Sequence, residues 1–395
     1  MTSGKTNELH IMLVAGETSG DALGADLMVA LREMSGRSLR ISGVGGPRME
    51  KEGLASIFPM ADIAVMGPRE IVPRLPLIFR RIWQTVRHAV EHKPDILVVI
   101  DSPEFTHMVA KRVARRAPSI PIVDYVLPSV WAWRQGRARA MAKYIRRVLA
   151  LLPFEPAFLK QAGVDCVYVG HPAIHRMPDE GSGARFRAAR GIAPDEPVLL
   201  VLPGSRVNEV KHLIGIFGEV VSKLTEEMPS LKVIVPTVPH VRRLVEESVR
   251  RWSVPAEIIE NDEDRRAAFD AGTAALAASG TVALELGLAR VPMVIAYRAE
   301  ALVGWFALSV LKVPSVVLIN LILDRPSVRE YLQSRCTPEY LLGGLRPLMS
   351  DTLERRRALA DLEEVRVRMG VDGEPPSRRA ARAVLDLLER PASPA

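Results

Sequence analysis

Two short turns in the second half of the chain carry the residues best suited to hold a multiply charged anion. They read Leu202-Pro203-Gly204-Ser205-Arg206 and Ala278-Ser279-Gly280-Thr281. Each follows a continuous apolar run, 198–202 and 274–278, and each leads into helical spacing. Runs of that kind are expected of strands buried in a parallel sheet. A small-residue turn that opens a helix presents backbone N–H groups at the positive end of the macrodipole, which suits an anion. Arg206 adds a permanently charged fork that matches phosphate oxygens. The amides of Gly204, Ser205, Ser279, Gly280 and Thr281 are therefore expected to grip a diphosphate from two sides. Neither turn fits G-x-x-x-x-G-K-[ST] or G-x-G-x-x-G, which argues against a P-loop or a dinucleotide site. A nucleotide diphosphate with something attached remains. Glu285, one helical turn beyond Thr281, is placed to accept hydrogen bonds from both hydroxyls of a ribose.

Such turns need sheets behind them. Short apolar runs at 11–15, 41–44, 96–100, 122–126, 148–152 and 167–169 alternate with helical patterns. A second series follows at 198–202, 233–235, 274–278, 291–296 and 316–319. Repeated βα alternation predicts an α/β protein built from parallel sheets wrapped by helices. With 395 residues, two doubly wound, Rossmann-like domains facing a cleft are expected. The predicted division is an N-terminal Rossmann-like domain at 1–175, a Gly- and Pro-rich linker at 176–197 and a nucleotide-binding Rossmann-like domain at 198–350. Charged helices follow at 351–395, placed to pack back on the first domain. Their arginines are interleaved with acids and lack aromatic partners, so they read as a solvated face and not as a nucleic-acid surface.

Composition narrows the class. Hydrophobic residues make up 48% of the chain and charged residues 25%, enough apolar material for ample cores. The two cysteines supply neither a disulfide framework nor a metal cluster and fit a reducing compartment. The net charge of +7 favours an anionic partner. The first residues lack the apolar core of a signal peptide, and the longest apolar stretch, 301–323, is broken by Lys312 and Pro314. A buried helix followed by a strand is expected there.

Several first-half segments stand at predicted strand ends. Gly16-Glu17-Thr18-Ser19-Gly20-Asp21 follows the first strand, and Pro128-Ser129-Val130-Trp131-Ala132-Trp133-Arg134 follows the fourth. Leu152-Pro153-Phe154-Glu155 and Gly170-His171-Pro172 complete the set. Together with the two glycine-serine turns and Asn320-Leu321, in this order, they resemble the lipid-A-disaccharide synthases over nearly the whole chain. That resemblance implies an inverting glycosyltransferase of the GT-B architecture. Its implied substrates are UDP-2,3-diacylglucosamine and 2,3-diacylglucosamine 1-phosphate, and its products a β-1,6-linked disaccharide 1-phosphate and UDP. It implies cytoplasmic work at the inner membrane surface and leaves a homodimer open.

Inversion in one step needs a general base at the acceptor hydroxyl and stabilisation of the departing diphosphate. Asp101 is the first candidate base, because it ends the apolar run 96–100, where a partly apolar setting raises a carboxyl pKa. The alternative for Asp101 is the N-cap of the following helix. Glu17 and Asp21 compete for the base role, since their loop leaves a neighbouring strand. Arg206 is the expected stabiliser of the leaving group. The resemblance places Asn320 near the sugar or phosphate; Ser19, Asp21, Trp133 and Arg134 are further candidates for binding substrate, and Trp131 and Trp133 either line the acceptor side or pack the core. After Asn320 the chain reads Leu323-Asp324-Arg325 where the family shows Ala-Gly-Arg, which leaves Arg325 without an inherited role.

No metal and no cofactor are expected. Asp262-Glu263-Asp264 has the bare Asp-x-Asp spacing, but beside Asn261 it reads as an ordinary acidic helix start. Between residues 73 and 92, Leu75, Ile78, Phe79, Ile82, Trp83, Val86 and Val90 recur at helical spacing beside four arginines. That pattern suits either a bilayer surface or a core-facing helix with snorkelling arginines. Two other classes share parts of these features: a UDP-sugar 2-epimerase of the same fold, and a non-catalytic nucleotide-binding scaffold.

Overall fold

The apolar runs become the strands of two parallel six-stranded sheets. The structure, a computed structural model, describes residues 8–64, 68–128, 136–299 and 313–389. One compact unit comprises Met1–Pro172 with Gly373–Ala395, and the other Ala173–Asp372.

In the first unit the strands are β1 (Glu8–Ala15), β2 (Ser38–Val44), β3 (Ile96–Ile100), β4 (Ile122–Tyr125), β5 (Arg147–Ala150) and β6 (Cys166–Tyr168). They lie in the order β2-β1-β3-β4-β5-β6. The connecting helices are α1 (Thr18–Met34), α2 (Pro47–Lys51), α3 (Pro68–His92), α4 (Pro103–Arg116), α5 (Gly136–Met141) and α6 (Glu155–Gln161). Every residue of β3 is buried, as a central strand covered on both faces requires. Each such Val, Leu or Ile contributes about 1.5–3 kcal/mol of hydrophobic stabilisation.

The second unit holds β7 (Val198–Leu202), β8 (Lys232–Pro236), β9 (Glu257–Ile259), β10 (Ala274–Ala278), β11 (Met293–Tyr297) and β12 (Arg329–Leu332). Their order is β12-β11-β10-β7-β8-β9. Its helices are α7 (Ser182–Ala189), α8 (Val207–Glu227), α9 (Pro239–Val249), α10 (Asp262–Ala271), α11 (Val282–Leu288), α12 (Leu318–Leu323), α13 (Pro338–Leu345) and α14 (Leu353–Met369). A last helix, α15 (Pro376–Glu389), returns to the first unit. There Ala380, Ala381 and Ala383 are buried, and α15 packs against α1. Arg147 donates through Nη1 to the Ala383 carbonyl at 2.9 Å.

Three expectations are corrected. The stretch read as a linker contains α7, which packs on α10 inside the second unit; Gly183 donates to the Asp270 carboxylate at 2.6 Å. Of the charged C-terminal segment, α14 belongs to the second unit and only the part from Gly373 onward to the first. The run 316–319 is not a strand, because its last residues open α12. Four apolar residues do not by themselves distinguish a strand from a buried helical turn.

In both sheets the strand order reverses direction once, between β1 and β3 and between β7 and β10. Ligand crevices of doubly wound sheets open at the carboxyl ends of the strands at such points. The Gly16–Asp21 loop and Asp101 lie at the first, and both glycine-serine turns at the second.

Candidate functional site

The two turns of the second unit line one cavity of about 390 Å³. Gly204, Ser205 and Arg206 approach it from β7, and Ser279, Gly280 and Thr281 from β10. These strands are neighbours, with Leu202 opposite Ala277, so the turns arrive side by side. Gly204 has φ +120°, in the region that favours glycine, and a Cβ there would meet the Glu209 side chain at 2.6 Å. Thr281 caps α11 without a side-chain capping bond. The Glu285 side chain, only 11% exposed, reaches the same cavity one turn later.

The amides are not equally available. Ser279 donates its N–H to the Ala296 carbonyl at 2.9 Å, so its expected amide contact is already committed to the sheet. The amides of Ser205 and Arg206 both donate to Glu209 Oε2, at 3.1 and 3.2 Å, while Arg206 Nη1 meets Glu209 Oε1 at 2.8 Å. This is the acidic half of a capping box, since an arginine N-cap has no acceptor to return the bond, and its carboxylate sits on the donors that a phosphate would use. Glu209 was not singled out in the sequence, because the residue three before it is an arginine and not the Ser or Thr that signals such a box. Arg176 and Arg265 also line the cavity. Arg176 donates to Glu285 Oε1 at 3.2 Å, and Arg265 lies 3.9 Å from Glu285 Oε2.

At the β1–β3 crevice the backbone is strained. Asp101 and Ser102 take φ +56° and +46°, and Val126, at the end of β4, takes φ +85°. Left-handed conformations at non-glycine residues cost about 1–3 kcal/mol each and cluster at functional sites. The Asp101 carboxylate is fixed on both oxygens: Ser19 Oγ donates to Oδ2 at 2.7 Å and the Ser102 amide to Oδ1 at 2.8 Å. Asp101 is therefore not the cap of α4; Ser102 occupies that position and bonds no helix amide through its side chain. The Gly16–Asp21 loop lies flush against this exit. A Cβ on Gly16 would stand 2.4 Å from Ser102 Cβ, and one on Gly20 would stand 3.0 Å from the Ile100 carbonyl. Glu17, half-buried at the start of α1, has its carboxyl pKa pushed up by burial, and then by the negative charges of Asp101 and Glu104.

Two expected site residues are structural. Asp21 is 1% exposed and accepts three backbone N–H bonds, from Gly46, Arg48 and Met49 at 2.8–3.0 Å. It satisfies the orphan amides that open α2 and has little left to offer a substrate. Asn320 is equally committed. Its Nδ2 donates to Ser315 Oγ and the Val328 carbonyl, and its Oδ1 accepts from the Ser327 and Val328 amides. All four hydrogen-bonding positions of the amide are used in tying two loops together. Arg325 pairs with Asp361 and Glu364 on α14. Trp131, Trp133 and Arg134 lie outside the described residues.

Asp262 and Asp264 do not converge on a common point. Asp262 pairs with Arg265 at 3.1 Å and Asp264 with Arg190 at 3.4 Å, while Asn261 caps α10. Among the described residues no three His, Cys, Asp or Glu side chains are grouped to hold a metal ion.

Solved structures of similar fold include UDP-GlcNAc 2-epimerase from Neisseria meningitidis bound to UDP-GlcNAc. It has a TM-score of 0.61 and 12% identity, with 96% of this chain and 99% of that chain covered. MurG of Acinetobacter baumannii gives a TM-score of 0.59 at 15% identity, with 96% and 99% covered. Two doubly wound sheets, each with its turns at the switch point, define the GT-B architecture. Sequence relatives separate its transferases from its epimerases. The lipid-A-disaccharide synthetase family model matches residues 11–373. The lipid-A-disaccharide synthase of Rhodospirillum centenum is 48% identical over 97% of this chain and 95% of its own length. That of Rhodopseudomonas palustris strain HaA2 is 46% identical over 96% and 97%. The chain belongs to the lipid-A-disaccharide synthase family and is a glycosyltransferase.

Proposed function

We propose that the enzyme transfers 2,3-diacylglucosamine from its UDP derivative to 2,3-diacylglucosamine 1-phosphate with inversion, releasing UDP. The observation that carries the donor side is the single cavity that joins both glycine-serine turns, Arg206 and Glu285. In this reading Glu285 accepts hydrogen bonds from the ribose hydroxyls. The diphosphate is held by Arg206 and by amides of the turns, with the Ser205 and Ser279 hydroxyls beside them. Charge that develops on the departing diphosphate is met by groups already in place.

On the acceptor side Asp101 serves as the general base. Its two hydrogen bonds orient the carboxylate while leaving lone pairs for the incoming 6-hydroxyl. The proton passes to Asp101 as the hydroxyl oxygen attacks the anomeric carbon and the bond to UDP breaks. Glu17, whose pKa is raised by burial and then by the charges of Asp101 and Glu104, is the alternative base. UDP should be released only when donor and acceptor are both present. UDP or a 2-epimer formed from donor alone would overturn the assignment.

The acylated substrates require access to a lipid surface, and α3 supports a peripheral attachment to the cytoplasmic face of the inner membrane. Ile82, Val86 and Ala89 are fully buried, so one face of α3 is core. Val72, Leu75, Phe79 and Trp83 form an exposed apolar stripe, with Phe79 and Trp83 each 44% exposed. Arg116 lies 4.2 Å and Arg112 5.6 Å from the Trp83 ring centre, so cations flank the stripe. Bulky apolar groups rimmed by arginine suit an anionic bilayer. No helix among the described residues is long and apolar enough to cross a membrane. Replacing Phe79 and Trp83 by serine should release the folded protein from anionic vesicles in flotation. A double variant that floats like wild type would move the attachment elsewhere.

A further inference from the structure

Glu285 has more cations around it than a ribose-binding carboxylate needs. Arg265 is anchored: it also pairs with Asp262, and its side chain is 21% exposed. Arg176 is different. It ends the short helical turn Pro172–Arg176, its side chain is 57% exposed, and it reaches the cavity to donate to Glu285 Oε1. A partly exposed pair of this kind is screened by solvent and contributes little, so it exchanges partners at little cost.

Resting on the donor-site reading above, we propose that Arg176 is a second guanidinium for the donor diphosphate, held beside the ribose position by Glu285 until the nucleotide arrives. A ribose diol that engages both oxygens of Glu285 needs Oε1, the atom that Arg176 occupies. Displaced from it, the guanidinium remains in the same cavity, next to the group attached at the ribose 5′-carbon. A diphosphate bears more negative charge than Arg206 alone balances, and Arg206 must be shared with Glu209. The planar fork of Arg176 can take two phosphate oxygens at once. Binding then trades a weak ion pair for two stronger contacts, ribose to Glu285 and phosphate to Arg176. Arg176 is a binding residue in this account, not an acid or base.

A double-mutant cycle tests this with UDP as the probe, measured by calorimetry on the full chain. Arg176→Ala should weaken UDP about ten-fold, and Arg176→Lys should recover part of the loss. The same Arg176→Ala change should cost at least as much in a Glu285→Gln background, because the guanidinium acts on the phosphate and not through the carboxylate. Added salt should weaken UDP less in Arg176→Ala than in wild type. Melting temperatures confirm that each variant is folded. An Arg176→Ala penalty that vanishes in the Glu285→Gln background would show that Arg176 only positions Glu285. No change in either background would make the pair an ordinary surface contact; both results overturn the proposal. A wild-type protein that fails to bind UDP at millimolar concentration would instead overturn the donor-site reading itself.

Discussion

The two switch points of this molecule solve different problems with different materials. At the β7–β10 edge the site is made from turns at helix starts, an arginine and an almost buried glutamate, groups that hold charge without moving protons. At the β1–β3 edge it is made from the carboxylates of Glu17 and Asp101, the latter on a backbone forced into a left-handed conformation. The first arrangement suits a leaving group and the second a proton acceptor. On the proposed reading each unit supplies one half of the requirement of an inverting transfer.

The sharpest way to break this division is at its acid end. Asp101→Ala should lower turnover by about 10²–10⁴-fold while UDP affinity stays within about two-fold. Steady-state rates beside UDP titration would show it. Retention of more than about a third of the wild-type rate would reduce Asp101 to a structural residue. Arg206→Ala should do the reverse in kind, weakening UDP by about 10–100-fold and lowering the rate as well. If charge on the diphosphate is met by arginines and amides as proposed, EDTA should leave activity unchanged. Loss restored by Mg²⁺ or Mn²⁺ would return Asp262 and Asp264 to the site.

Smaller effects test the residues reassigned to structure. Asp21→Ala orphans three backbone amides and should cost about 3 kcal/mol in thermal or denaturant unfolding. An unchanged melting curve with lost activity would restore Asp21 to the acceptor site. The smallest expected effect is on stability alone. His88 stacks on His92 with ring centres 4.1 Å apart, and its pKa is pushed down to about 4 by burial first and then by His92, His10 and Arg40. Because the folded value lies below that of the unfolded chain, the unfolded state takes up the proton first as pH falls. Stability should thus decline from about pH 6.5 to about pH 4, by about 1–2 kcal/mol for this half-buried group. His88→Phe should flatten that part of the stability profile, and an unaltered slope would assign it to other groups.

Legibility in the sequence followed from how local each feature is. Strands β3, β7 and β10 are continuous apolar runs because both faces are covered, and they were readable for that reason. Edge strands β9 and β12 are short and carry charge, as in Arg329-Glu330, so no apolar run announced them. The glycine-serine turns declared themselves by residue type, whereas the occupancy of their amides by Glu209 and Ala296 did not. Asp21 illustrates the harder limit. An acid in the first turn of a helix at a strand end looks the same whether it faces a substrate or a loop 25 residues away. Only the fold brings Gly46, Arg48 and Met49 onto it. The bonds of Asn320 are hidden for the same reason, since its partners at 327–328 approach through a turn that spacing does not reveal.

The carboxylate of Glu209 has one more consequence. It places a built-in competitor on the cradle at the start of α8, making there the bonds that a phosphate would make. Any nucleotide that uses these donors must evict it, so measured affinity is the difference between two sets of similar bonds and not the strength of one. If UDP sits on this cradle as proposed, the same side chain is at hand to reclaim those donors as spent UDP loosens, and it opposes retention of the by-product that each delivered sugar leaves behind.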